Sequence, residues 1–214
     1  MDFDFAQTAP KQIYNLLIGL VAPRPIAWIT TQNLSGQLNA APFSAYNYVG
    51  IDPPLVAIGV GNRAGAAIIG KDTAQNIRNT GEFVINVVNE SLAEAMNLSA
   101  VDFPPEINEL EIIGLATAPS LLVKTPRIAA APASLECREA ATVEIGRSRV
   151  VLGRVVAVHV KDEFVDPAGP YIRAEQMHAV GRMNGLNSYV KTRDAFFHIR
   201  RLTYADWQSE NSKS

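Results

Sequence analysis

The chain has 214 residues, of which 48% are hydrophobic and 19% charged. A chain of this length buries roughly 70% of its unfolded surface, so one full core is expected, and the hydrophobic content excludes a disordered protein. The formal net charge of −2 leaves no basic excess for nucleic acid or an anionic membrane. A single cysteine, Cys137, excludes an intrachain disulfide and a cysteine-built metal site.

The first residues, MDFDFAQTAPKQ, are acidic and lack the basic-then-apolar order of a secretory leader. No apolar run approaches the ~20 residues of a membrane helix. The expectation is a soluble, cytoplasmic protein with one domain over residues 1–207. The polar end QSENSKS, residues 208–214, is expected to be disordered.

Residues 10–20 carry apolar side chains at 13, 16, 17 and 20, a helical spacing. Residues 25–31 (PIAWITT) read as a strand, NLSGQ at 33–37 as a turn, and 38–42 as the returning strand of a hairpin. Asp52-Pro53-Pro54 breaks the chain before a strand at 55–60 (LVAIGV). A helix is predicted over 72–80, with Asp72 as N-cap and Gly81 as the residue that stops it. Residues 82–88 (EFVINVV) form the next strand, and Ser91-Leu92-Ala93-Glu94 has the pattern of a capping box opening a helix to Leu98. A long strand is predicted over 150–160, with Gly153 marking a bulge, and weaker strands over 133–136 and 196–200. Strands outnumber helices and do not alternate with them. That disfavours a doubly wound parallel sheet and favours a mainly β fold, a β-barrel with peripheral helices.

Several chemistries are absent. There is no P-loop, and Gly59-Val60-Gly61 is followed by Gly65 too late for a dinucleotide fingerprint. No nucleophile elbow or zinc-protease helix motif occurs. His159, His178 and His198 are scattered in sequence. His159 and His198 fit a structural role, and His178, in a polar stretch, stays open. Any hard chemistry is therefore expected to be carried by a cofactor.

Three segments suit a phosphorylated flavin, although each also fits an ordinary strand, loop or capped helix. Pro23 to Thr31 is a strand ending in Thr30 and Thr31, whose side chains point to opposite faces. Ala40 to Asn47 (AAPFSAYN) is a poor regular strand whose free N–H groups match the hydrogen-bonding edge of an isoalloxazine ring. Lys71-Asp72-Thr73 lies at a helix N-terminus, where free N–H groups and the dipole attract an anion.

The ordered runs PRPIAWITT, NAAPFSAYN, DPP, KDTAQNI and TGEFVINVVN together resemble the flavin reductase-like family. This family includes the flavoredoxins and the reductase components of two-component monooxygenases. Glu136-Cys137 resembles the family's pair in a later strand. Gly181-Arg182-Met183-Asn184-Gly185 with Tyr189 and Thr192-Arg193-Asp194 resembles its C-terminal motif. Asn184 departs from the family's common glycine, and either narrows the pocket or decorates a turn.

The resemblance implies a Greek-key, FMN-binding split barrel in a homodimer with the flavin near the interface. FAD is the alternative cofactor, and NAD(P)H is the co-substrate. It implies that Thr30 and Thr31 lie near the ribityl or phosphate, that Ser44, Ala45, Tyr46 and Asn47 hold the ring edge, and that Lys71 and Thr73 meet the phosphate. Trp28 is either a flavin neighbour or core packing. Arg24 either balances phosphate charge or holds the loop, and Arg182 and Tyr189 are site candidates. The implied activity is NAD(P)H-dependent flavin reduction by hydride transfer from nicotinamide C4 to flavin N5, with an oxygenase as the partner that takes reduced flavin. The alternative is an FMN electron carrier of the flavoredoxin kind without a nicotinamide site.

Overall fold

The computed structural model describes residues 1–62, 71–169, 171–185, 187–193, 196–197 and 199–211. His198 and Asp194 lie outside them, as does Gly65.

In chain order the elements begin with helix α1 (Pro10–Leu20), hairpin β1 (Ala27–Gln32) and β2 (Leu38–Phe43), and hairpin β3 (Tyr46–Ile51) and β4 (Pro54–Gly59). Helix α2 (Asp72–Thr80), strand β5 (Glu82–Val87) and helices α3 (Ala93–Leu98) and α4 (Glu109–Ile112) follow. Then come the short strands β6 (Thr117–Ala118) and β7 (Arg127–Ile128) and the long hairpin β8 (Ala133–Ile145) and β9 (Ser148–Val160). Strands β10 (Val180–Arg182) and β11 (Tyr189–Lys191) and helix α5 (Tyr204–Asn211) complete the described chain.

Seven strands form one antiparallel sheet in the order β2-β1-β5-β8-β9-β4-β3. Its edges, β2 and β3, are joined by only Ser44 and Ala45. A flat sheet of seven strands would hold its edges roughly 29 Å apart, whereas this link spans at most about 11 Å. The sheet therefore curls until its edges meet at the Ser44-Ala45 corner. The Gly59 N–H donates to the Ala45 carbonyl there, at 2.7 Å.

Strand alternation divides the side chains between two cores. Ala27, Ile29, Val56, Ile58, Phe83, Ile85, Cys137 and Val151 fill the barrel, joined by Ala74 and Ile77 of α2. Trp28 and Ala40 face outward into a second cluster with Met96 of α3, Leu110 of α4, Ile128 and Val180. Strand β1 is thus covered on both faces, with its first five residues buried.

Helix α2 ends as expected, with Gly81 left-handed at φ 70°, but its N-cap is Lys71 and Asp72 lies in the first turn. The predicted capping box does not form. Glu90–Leu92 is a 3-10 turn, α3 starts at Ala93, and the Ser91 hydroxyl donates to Asn89 Oδ1 at 2.9 Å. The register shift near Gly153 leaves the extra residue on β8, at Ala140, opposite Leu152 and Gly153. The glycine is needed for another reason, a close approach by Phe83. Residues 196, 197, 199 and 200 form no strand. Helix α5 runs across the boundary expected at residue 207.

Candidate functional site

The outer edge of β2 borders two adjoining hollows, the two parts of a cleft, whose linings share Pro42 and Ala100. Their volumes are about 240 and 270 Å³, each just under the ~300–1,000 Å³ of a whole small-molecule site.

The first hollow lies against the start of α2 and includes Lys71, Thr73 and Asn39. Thr73 is 1% exposed and its hydroxyl oxygen accepts from Asn39 Nδ2 at 3.1 Å. The Ala74 and Gln75 N–H groups of the opening turn donate to the Lys71 carbonyl at 2.9 and 3.1 Å, and the positive end of the helix dipole faces the hollow. Lys71, partly buried, adds a full charge. These are the donors a phosphate monoester requires.

Three carboxylates share this hollow: Asp72, Asp102 and Glu109. Glu109 Oε2 accepts from the Ala40 N–H at 2.9 Å, off the open edge of β2. Burial pushes the Glu109 carboxyl above its usual range against the lowering effect of the Ala40 bond, and Asp72 adds to the rise. The rise favours the neutral acid and reduces the negative charge facing an anion. Because the folded value is raised, the associated stability is complete below the ordinary glutamate range near ~4.3 and is lost as pH rises through the folded value. Glu109→Gln keeps an acceptor for Ala40 and removes this dependence. The melting temperature of the variant is expected to gain on the parent as pH rises above the ordinary glutamate range near ~4.3. A pH-independent difference would exclude the raised carboxyl.

The second hollow is lined by Ser44, Arg182, Tyr189 and Tyr14 of α1, among others. Arg182 lies over the Tyr189 ring at 4.6 Å from its centroid, and the Tyr189 hydroxyl donates to Asn97 Oδ1 at 3.1 Å. Arg24, 9% exposed, donates to the carbonyls of Ile18, Val21 and Met183 at 2.5, 2.8 and 2.6 Å. Its Nε reaches Ser44 Oγ at 3.4 Å. Of its two sequence readings, the structure selects the one in which Arg24 holds the loop.

The structure therefore gathers Ser44, Lys71, Thr73, Arg182 and Tyr189 around the cleft. It places the other sequence candidates elsewhere. Trp28 is core packing, fully buried, with Nε1 donating to Ser99 Oγ at 2.9 Å. Thr30 donates to the Pro126 carbonyl at 2.8 Å and Thr31 accepts from Asn76 Nδ2 at 3.1 Å, both fully buried. Their strand is central and covered on both faces, so neither hydroxyl lines the cleft. Tyr46 packs against the barrel core, where burial, with Cys137 adding, pushes its hydroxyl up to about 12. Ala45 and Asn47 are exposed, and Asn47 Oδ1 accepts from the Tyr48 N–H at 2.9 Å. His178 is exposed, with a left-handed φ of 50°.

Sequence reasoning missed Asn39 and Glu109. Asn39 shares a face of β2 with Ala41, a period-two signal that was readable. Nothing in the sequence brings Glu109 to Ala40. Among the described residues no group of three His, Cys, Asp or Glu could hold a metal.

An antiparallel seven-stranded sheet that closes at a two-residue corner, with a cleft along its β2 edge, defines a split-barrel fold. Residues 20–179 match the flavin reductase like domain. The chain belongs to the flavin reductase-like family, whose members are flavin oxidoreductases. It is 42% identical over 213 residues to an uncharacterised protein of Deinococcus radiodurans, covering 97% of this chain and 92% of that one. The 2-nitrobenzoate 2-nitroreductase of Pseudomonas fluorescens is similar in structure with a TM-score of 0.85 and 34% identity, covering 95% of this chain and 98% of that one. Nitrilotriacetate monooxygenase component B of Bacillus cereus also gives a TM-score of 0.85, at 30% identity, covering 92% of this chain and 98% of that one.

Proposed function

We propose that the protein is an NAD(P)H-dependent flavin reductase that uses FMN and hands reduced flavin to a partner oxygenase. The supporting observation is the pair of adjoining hollows, with Lys71, Thr73 and the α2 N-terminus in one and Ser44, Arg182 and Tyr189 in the other. In this reading Lys71 and Thr73 hold the phosphate monoester, which favours FMN over the diphosphate of FAD. A bound flavin supplies the centre that accepts the hydride and passes on electrons. The chain's own task is to hold two rings close, aligned and dry. Arg182 adds positive potential where charge develops on a reduced ring. No acid, base or nucleophile from the protein is required, which agrees with the absence of such motifs.

A homodimer belongs to the same reading. Helix α1 is largely apolar yet has no buried residue, and Tyr14, on its exposed face, also lines the cleft. Edge strand β3 leaves Tyr48 and Ile51 72% and 84% exposed. A second copy laid over these surfaces would cover them and close the cleft against water.

Lys71→Ala is expected to weaken FMN binding by roughly 1–3 kcal/mol, the loss of a charged hydrogen bond. Equilibrium titration of flavin fluorescence measures it, and unchanged affinity would remove Lys71 from the site. The function itself is tested by anaerobic titration of the FMN-loaded protein with NADH and with NADPH. Bleaching of the visible flavin band by either nucleotide is expected. A flavin that binds but is not bleached would overturn the reductase reading in favour of an electron carrier. The likeness to a nitroreductase favours a second reading, in which an organic nitro compound takes the electrons directly. Reoxidation of the bleached protein by 2-nitrobenzoate without oxygen would establish that route.

A further inference from the structure

A third hollow, of about 350 Å³, opens where β8 begins and β9 ends, and shares no residue with the cleft. Its polar lining is Arg127, Ser134, His159 and Lys161, with no carboxylate among the described residues. Strand pairing builds it rigidly, with Ser134 opposite His159 and Ala133 opposite Val160. Strand β7 carries Arg127 alongside.

The cations here are short of acceptors. Arg127 Nε is buried and has no hydrogen-bond partner among the described residues. A buried donor left unpaired is costly and rare. Lys161 donates to the Ala130 carbonyl at 3.1 Å and keeps further N–H groups to offer. The nearby carboxylate of Glu136 is already committed to three backbone N–H groups and to His159 Nε2. Ser134 spends its proton on Asn86 Oδ1 at 2.9 Å. What remains is a guanidinium and an ammonium that line the same open hollow, the Arg127 Nε being sealed beneath its surface. A guanidinium fork matches two oxygens of one oxyanion, and an ammonium can meet a third.

We propose that this hollow is an oxyanion-binding site that takes the carboxylate or phosphoryl group of a small molecule through Arg127 and Lys161. The site is independent of the flavin reading, since it lies on other elements and shares none of the cleft's residues.

Nuclear magnetic resonance of the arginine Nε–H groups tests it in the FMN-loaded protein. Inorganic phosphate and acetate are titrated separately, with ionic strength held constant by sodium chloride. One Nε–H resonance is expected to shift saturably and to be missing from Arg127→Gln. Lys161→Gln, at an exposed side chain that tolerates change, is expected to weaken binding about tenfold, as for one charged hydrogen bond. Tighter binding of acetate would identify a carboxylate ligand and tighter binding of phosphate a phosphoryl ligand. FMN affinity is expected to be the same in both variants. A shift that does not saturate, or one that chloride reproduces, would overturn the proposal. So would equal affinity in Lys161→Gln, a result that stands even if Arg127→Gln fails to fold.

Discussion

Replacing Glu136 by alanine is expected to destabilise the protein by roughly 3–5 kcal/mol, the cost of breaking a buried ionic cluster. For a chain of this size that lowers the melting temperature by on the order of 10 °C. The Glu136 side chain is fully buried. It accepts from the N–H groups of Leu121, Leu122 and Val123 at 2.5, 2.6 and 3.1 Å, and it meets His159 Nε2. One carboxylate therefore fastens the 121–123 segment to β8. Alanine would strand three backbone donors and an imidazole at once. Burial pushes this carboxyl up, but the Leu121 N–H, His159 and the two further N–H groups outweigh it and hold it below the usual range. A lowered folded value means that the contribution is present above the ordinary glutamate range near ~4.3 and disappears as pH falls through the folded value. Glu136→Gln keeps one acceptor oxygen, so it is expected to cost less and to flatten the acid side of the stability profile. Thermal melts between about pH 3 and about pH 7 measure both effects. An alanine variant melting with the parent would refute the fastening role.

The second large effect is expected at Gly153. A Cβ there would lie 2.3 Å from Phe83 Cζ, 3.0 Å from Cε1 and 3.3 Å from Val56 Cγ2. Phe83 is fully buried inside the barrel, so its ring has no free space to enter. Valine would improve strand propensity by at most ~1 kcal/mol. Overpacking against the ring is expected to cost roughly 3 kcal/mol or more, and so to win. Phe83→Leu removes the ring atoms in the way. In the double variant the two losses are expected to be less than additive, with a coupling of roughly 1–3 kcal/mol. Additive losses in urea unfolding would show that the ring and the glycine do not compete for the same space.

Both positions show how far the sequence could be read. Gly153 was visible as an irregularity, but a bulge and a close approach look alike until Phe83 is known to sit opposite. Helices α1 and α2 matched their predicted spans because periodicity and a terminal glycine are local signals. Strands β1, β2, β4, β5 and β9 lie within two residues of their predicted ends at either terminus. Strand β3 is not predicted by the sequence. Its edge position leaves Asn47, Tyr48 and Val49 exposed together, so no alternation marks it. Strand β8 continues past Glu136 to Ile145 through Arg138, Glu139 and Glu144, whose charges disguise a solvent-facing extension.

The site divides in the same way. The place of Lys71 and Thr73 at a helix start was legible because that is a local feature, and Ser44, Arg182 and Tyr189 were candidates because they stand in recognisable motifs. Thr30 and Thr31 were misplaced because one strand's sequence does not say that the strand will be central and covered on both faces. Glu109 was invisible because its role depends on Ala40, a partner far away along the chain.

The sheet order also bears on how the chain leaves the ribosome. Strand β8 pairs with β5 and β9 pairs with β4, so this late hairpin supplies the strand pairing between the two early halves of the sheet. Both halves emerge well before it. At a synthesis rate of ~5–20 residues per second, the roughly 70 residues separating β5 from the end of β9 take about 4–15 s. Throughout that interval β4 and β5 present bare edges with Val56, Ile58, Phe83 and Ile85 uncovered. A nascent chain halted before Val160 would offer those edges to its neighbours on the same message, so translation speed through the last hairpin bears directly on yield.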